Sequence, residues 1–143
     1  MKPAFTIIEH PADVGFVAHG ATREELFACA ALAMMTLACD PQRMDERERR
    51  DVEVAAADLE SLLYAWLAEI LAIADAEQLF FRRAEIRSID SQPPGFVLRG
   101  AIFGERYDKQ RHVAGTYIKA VTFHQLRVEQ TADGWRAQVY LDV

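Results

Sequence analysis

The sequence predicts an α+β protein, with two helices packed against a mixed, largely antiparallel β-sheet system. Three observations carry that expectation. Two stretches, one after Thr22 and one after Asp58, repeat apolar residues at helical spacing behind a capping side chain. Most of the chain beyond residue 79 alternates or clusters β-branched and aromatic residues between turn signals. A length of 143 residues, 51% hydrophobic and 27% charged, suits one globular domain over residues 1–143 and not a disordered or fibrous chain.

Residues 5–9, Phe-Thr-Ile-Ile-Glu, read as a short first strand, and residues 14–20 as a second extended run closed by Gly20. Thr22 then supplies an N-cap, and Glu25 three residues later completes a capping box. Behind it Leu26, Ala30, Ala33, Met34 and Leu37 form a stripe, widened by Phe27 and Ala31, that ends before Asp40-Pro41. Residues 41–50 are polar and read as a loop, and residues 51–57 alternate like a half-exposed strand. Asp58 caps the second helix, whose Leu59, Leu62, Leu63, Trp66, Leu67, Ile70 and Leu71 make one broad apolar face. Trp66 there reads as core.

Four β segments follow: 79–89, 96–105, a long strand over 116–130, and 135–143. Residues 90–95, 107–115 and 132–134 separate them as turns or loops. The order ββαβαββββ, with six to seven strands, implies some parallel pairing where a helix carries the chain across. In the last strand Trp135, Ala137, Val139, Leu141 and Val143 share one face, and Arg136, Gln138, Tyr140 and Asp142 the other.

A formal charge of -6 argues against autonomous nucleic-acid binding, and the basic Glu48-Arg49-Arg50 run reads as a solvated edge. No apolar run approaches membrane-spanning length, and the first residues lack a secretory pattern, so a cytoplasmic location is expected. Cys29 and Cys39 stand alone, which is no zinc pattern, and Cys29 reads as a small buried hydrophobe. Phosphate-binding glycine loops, dinucleotide fingerprints, HExxH and GxSxG are all absent from the sequence. The four histidines, His10, His19, His112 and His124, are isolated, and His124 reads as a packed core residue.

Chemistry concentrates in Glu9-His10-Pro11-Ala12-Asp13-Val14-Gly15, which puts an imidazole and two carboxylates into a short bend. Alone it suits a self-capping turn as well as half of a hard-metal or anion-handling site. Asp13, Glu105, Asp108 and Asp142 are carboxylates beside bends and element ends, and Val143 adds one more oxygen donor. Hard cations take oxygen ligands from distant parts of a chain, but surface acids of an acidic protein would show the same spacing.

These residues resemble the archease family. Glu9 to Gly15 is similar to its E-H-T-A-D-hydrophobic-G signature, followed by Gly20 and Glu25-Leu26-Phe27. Residues 62–71 resemble its L-L-x-x-W-L-x-E-L-L block, and Gly104-Glu105 with Tyr107-Asp108 its G-E-x-hydrophobic-D element. Ile118-Lys119-Ala120-Val121-Thr122-Phe123-His124 resembles its V-K-A-x-T-Y-H strand, and Trp135 with Leu141-Asp142-Val143 its C-terminal ending. Pro11 and Phe123 depart from the usual threonine and tyrosine.

The resemblance implies an archease-like single domain and a protein that is not an enzyme. It implies a cofactor protein that activates a GTP-dependent 3′-phosphate/5′-hydroxyl RNA ligase in tRNA splicing or RNA repair, promoting ligase guanylylation and multiple turnover. The partner would be a ligase of the histidine-guanylylated type, with tRNA or cleaved RNA met only through it, and with no membrane or DNA partner. The family's metal-binding positions fall on Asp13, Asp142 and the backbone oxygen of Val143, calcium being the first expectation and magnesium or manganese the alternatives. Its functional lysine falls on Lys119, whose other reading is an exposed lysine guarding a strand edge. His10 is expected to orient Asp13 or to satisfy its own turn, and Glu105 and Asp108 to face the partner. A stand-alone metal-dependent hydrolase, or a general chaperone or RNA-binding adaptor, are the competing functions.

Overall fold

The computed structural model describes residues 4–9 and 13–143. Strands β1 (Phe5–Glu9) and β2 (Asp13–Gly20) lead into helix α1 (Arg23–Ala38). A 3-10 turn (Pro41–Arg43) and β3 (Glu48–Ala56) lead into helix α2 (Leu59–Glu77). Five strands complete the described chain: β4 (Leu79–Gln92), β5 (Gly95–Arg106), β6 (Ala120–Val121), β7 (Arg127–Thr131) and β8 (Gly134–Asp142). No helix among the described residues is long and apolar enough to cross a membrane.

Both helices start where the sequence places them. Thr22 Oγ1 accepts the Glu25 N–H at 3.1 Å, while Glu25 reaches back to the Ala21 N–H at 2.9 Å. Asp58 Oδ1 accepts the Ser61 N–H at 2.8 Å. Each side chain satisfies a donor that the first turn of a helix would leave unpaired. Trp66 is core, at 0% exposure, with its Nε1–H donating to the Phe27 carbonyl at 3.0 Å.

The strands form two sheets. One has the order β1-β2-β8-β6, with β7 also on β8, and the other the order β3-β5-β4. Every ladder among the described residues is antiparallel. The α2 crossover does leave β3 and β4 running in the same direction, but β5 lies between them and pairs with both. Parallel orientation therefore occurs without parallel pairing. One buried cluster draws on both helices and both sheets, including Phe16, Phe27, Leu63, Trp66, Ile102 and Val139.

The expected long strand over 116–130 is the main correction. It is two short strands, β6 and β7, that meet β8 in succession and are separated by a turn in which Gln125 takes φ 51°. Before β6, the Gly115 and Thr116 N–H groups are used elsewhere, donating to the Ala38 and Leu37 carbonyls at the end of α1. Those bonds cap orphan helix carbonyls, so apolar spacing alone could not reveal that the segment is not a strand there. Smaller differences concern ends: β3 begins at Glu48, inside the expected loop, and β4 runs on to Gln92. Cys29 is only partly buried, and its thiol donates to the Ala4 carbonyl at 3.4 Å.

Candidate functional site

β8 sits between β2 and the β6/β7 edge, and this placement assembles the candidate site from the two ends of the described chain. Asp13 on β2 is the direct cross-strand partner of Asp142 on β8. On the other side of β8, Ala120 is the partner of Asp142, and the Lys119 N–H donates to the Asp142 carbonyl at 2.8 Å. Asp13, Asp142 and Val143 are half-buried, while Lys119 is exposed and makes no ion pair among the described residues. Three of the sequence-expected positions and the backbone of a fourth thus share one end of one sheet.

Next to the two aspartates lies a small cavity, about 110 Å³, lined by Asp13, His124, Gln125 and Tyr140. Its walls follow from one glycine. Gly15 is the cross-strand partner of Tyr140, and a Cβ there would stand 2.8 Å from the tyrosine ring. Without that Cβ the ring lies over β2, which buries Tyr140 although its strand alternation puts it on the polar face. His124 packs edge-on against the same ring, with centroids 5.8 Å apart. The turn carrying His124 is held by Thr122, whose N–H and hydroxyl both donate to the Tyr140 carbonyl, and by Gln138 Nε2 donating to the Gln125 carbonyl.

His124 is therefore exposed beside the site and not a core residue, a correction that follows from the break between β6 and β7. With Gln125 and Tyr140 it was missed as a site neighbour. Gly15 opposite Tyr140 was the available signal, but reading it needs the register of strands more than a hundred residues apart. His10 and Pro11 lie outside the described residues.

Glu105 does not face outward, and this too is a correction. It is 3% exposed. Its Oε2 accepts the Asp45 N–H at 2.6 Å and its Oε1 accepts from Arg111 at 2.8 Å. The buried His112 Nε2 lies 2.8 Å from the same Oε1, but off the line an N–H would need for a hydrogen bond. His112 Nδ1 accepts the Asp108 N–H at 2.9 Å. Buried carboxylates persist when charged and hydrogen-bonded partners surround them, and Glu105 serves as the hub that fastens the segment after β5. Asp108 is exposed and caps its own turn, accepting the Gln110 N–H at 2.9 Å.

Among the described residues no group of three or more His, Cys, Asp or Glu side chains is placed to hold a metal ion. Asp13 and Asp142 offer two opposed carboxylates. Carboxylate oxygens are the donors that hard cations take.

A two-sheet α+β fold with opposed carboxylates where β2 meets β8 has known relatives. The archease protein family model matches residues 5–143. The chain is 37% identical over 139 residues to the protein archease of Methanosarcina mazei, covering 97% of this chain and 95% of that one. It is 38% identical over 136 residues to the protein archease of Pyrococcus abyssi, covering 94% and 95%. The solution structure of Methanobacterium thermoautotrophicum protein 1598 superposes with a TM-score of 0.85 at 36% identity, covering 99% of this chain and 100% of that one. A crystal structure from Thermotoga maritima, described as an archease and possible chaperone, shares the fold with a TM-score of 0.59 at 19% identity, covering 95% and 94%. The chain belongs to the archease family. Members of that family are non-catalytic cofactor proteins, and so is this chain.

Proposed function

We propose that this protein activates a GTP-dependent 3′-phosphate/5′-hydroxyl RNA ligase of the histidine-guanylylated type, working in tRNA splicing or RNA repair. The observation that carries the reading is the register that sets Asp13 opposite Asp142, with the Lys119 backbone tied to Asp142. In this reading Asp13, Asp142 and the backbone oxygen of Val143 hold a divalent cation, calcium first, with magnesium or manganese as alternatives. The cation would neutralise the two carboxylates and offer its remaining positions to a partner's phosphate or carboxylate.

The chain's own residues do the rest. Asp13 and Asp142 are fixed on neighbouring strands, so they present their charge without reorganisation. Lys119 supplies an uncommitted positive charge toward a phosphate or an acidic partner surface. RNA is engaged only through the ligase, no membrane or DNA takes part, and the setting is the cytoplasm. The hydrolase alternative falls with membership of a non-catalytic family. A chaperone or RNA-binding adaptor would instead hold unfolded protein or RNA on its own.

The test is multiple-turnover ligation by the ligase of the source organism, with and without this protein. Asp13→Ala and Asp142→Ala should fold and fail to stimulate. Stimulation equal to the parent by both would remove the carboxylates from the mechanism. No stimulation by the parent, together with direct capture of unfolded protein, would favour the chaperone reading.

A further inference from the structure

The large hydrophobic side chains exposed among the described residues are concentrated in one place. Tyr107, Val113, Tyr117 and Phe123 all lie in the segment between β5 and β7, and only Leu32 lies elsewhere. Val113 is 76% exposed, Tyr117 63% and Phe123 58%. This exposure is not that of an unattached loop. The segment is pinned at the end of α1 through Gly115 and Thr116, at Asp142 through the Lys119 N–H, and at the core through Ile118, which is 3% exposed. Phe123 stacks flat on Tyr64, with centroids 4.0 Å apart and planes at 15°. A held segment that buries Ile118 and presents its apolar neighbours has the character of an interaction surface.

α2 gives the surface its length. Tyr117 Oη contacts Asp75 at 3.4 Å, Phe123 lies on Tyr64, and the Val128 N–H donates to Glu60. Glu60, Tyr64 and Asp75 fall on one stripe of the helix, so the segment runs antiparallel along that flank. Tyr117 and Phe123 sit over positions eleven residues apart, about 16 Å at the rise of an α-helix. The ridge continues into β6, where Ala120 pairs with Asp142. A partner seated on it would reach the aspartate end.

Charge identifies the partner. Residues 109–128 contain no Asp or Glu. Lys119, in the middle, has no ion pair among the described residues, whereas the arginines of the β3-β5-β4 sheet are paired with acids. The ridge is bordered by Asp75, Glu60, Asp13 and Asp142, which would repel an RNA backbone laid along it. A largely uncharged apolar groove with a single carboxylate placed to receive Lys119 fits both features.

We propose that residues 113–123 form a docking ridge for such a groove on a protein partner, the ligase itself. This rests on the reading of the chain as a ligase activator. The experiment titrates the source organism's ligase with the parent and with Val113→Ser, Tyr117→Ser, Phe123→Ser and Phe123→Tyr. It reads the half-saturating concentration and the stimulation at saturation, and calorimetry reads calcium binding. The ridge requires the serine variants to raise half-saturation about tenfold each, with stimulation at saturation and calcium binding as in the parent. Phe123→Tyr, which keeps the stack on Tyr64, should bind like the parent.

If all three serine variants keep the parental half-saturation while the parent stimulates, the ridge is wrong and the activator reading stands. If the parent neither binds nor stimulates, both fall. If the variants instead lose crosslinking to labelled tRNA halves in the absence of ligase, with ligase affinity intact, the surface belongs to RNA and the proposal is overturned.

Discussion

Replacing Asp13 by Asn should make the protein more stable without metal and less stable with it. Asp13 and Asp142 are cross-strand partners, which sets their Cβ atoms about 5 Å apart. Two negative charges at roughly 6 Å repel by about 0.7 kcal/mol at the dielectric of water, and more in a half-buried setting. Like charges directly opposed in a sheet cost about 0.2–1 kcal/mol. Asn keeps the shape and removes one charge. In chelator, Asp13→Asn should therefore gain about 0.5–1 kcal/mol, or about 2 °C in Tm for a chain of this size. Adding calcium at about 100 times its Kd should stabilise the parent by about 2.7 kcal/mol, or about 5–10 °C, and the variant far less. Thermal denaturation in EDTA and in excess calcium measures both. A variant that melts below the parent in EDTA would show that the carboxylates do not repel. A variant with the full calcium shift would show that Asp13 is not a ligand.

Other consequences follow from the same geometry. Lys119→Ala should cut ligase stimulation and leave Tm within about 1 °C, as expected for an exposed side chain; equal stimulation and equal ligase affinity would remove its role. Glu105→Ala should cost about 1–3 kcal/mol in urea denaturation, because the Asp45 N–H loses its buried acceptor. Arg111, whose side chain is 42% exposed, adds little to that figure, and a loss under about 1 kcal/mol would show that Glu105 is no hub. Gly15→Ala drives a Cβ against the Tyr140 ring and should cost about 1–3 kcal/mol; an unchanged Tm would mean the ring moves freely. Burial, reinforced by nearby Asp40, pushes the Cys39 thiol up to about 11. Its proton is held more tightly in the folded state, so its contribution to stability is intact below the unfolded value near 9 and is lost as pH rises toward 11. Iodoacetamide at pH 8 should label Cys39 only after unfolding, and rapid labelling of the native protein would contradict this.

What could be read from residues alone was whatever local chemistry determines. The helix starts at Thr22 and Asp58 are written in capping side chains, and the face of the last strand is written in its alternation. The identity of the α+β class followed from these. Register was not local. Nothing near Tyr140 announces that Gly15 lies beneath it, and nothing near Asp13 announces Asp142 as its partner. Only the block-by-block likeness to a family pointed at that pair. The segment over 116–130 misled for a physical reason. Its apolar residues are spaced like a strand, yet Ile118 is buried while Tyr117 and Phe123 stand out on a flank of α2. Glu105 misled because a carboxylate was read as exposed, when Arg111, His112 and the Asp45 N–H had gathered around it.

The candidate site is a product of closure between distant parts of the chain. β8 is an interior strand, with β2 on one side and β6 and β7 on the other, so Asp142 reaches Asp13 only when that sheet has formed. Contacts of such sequence separation carry a loop-closure cost and form slowly relative to local ones. A cation shared by the two aspartates would bind the closed state and not the open one, and would stabilise it by mass action. The same closure fixes Lys119 through the Asp142 carbonyl and sets the end of the ridge beside the aspartates. Loss of β8 pairing would therefore disconnect the carboxylates, the lysine and the docking surface together. This makes the pairing of β2 with β8, and not any one side chain, the element on which the proposed activity most depends.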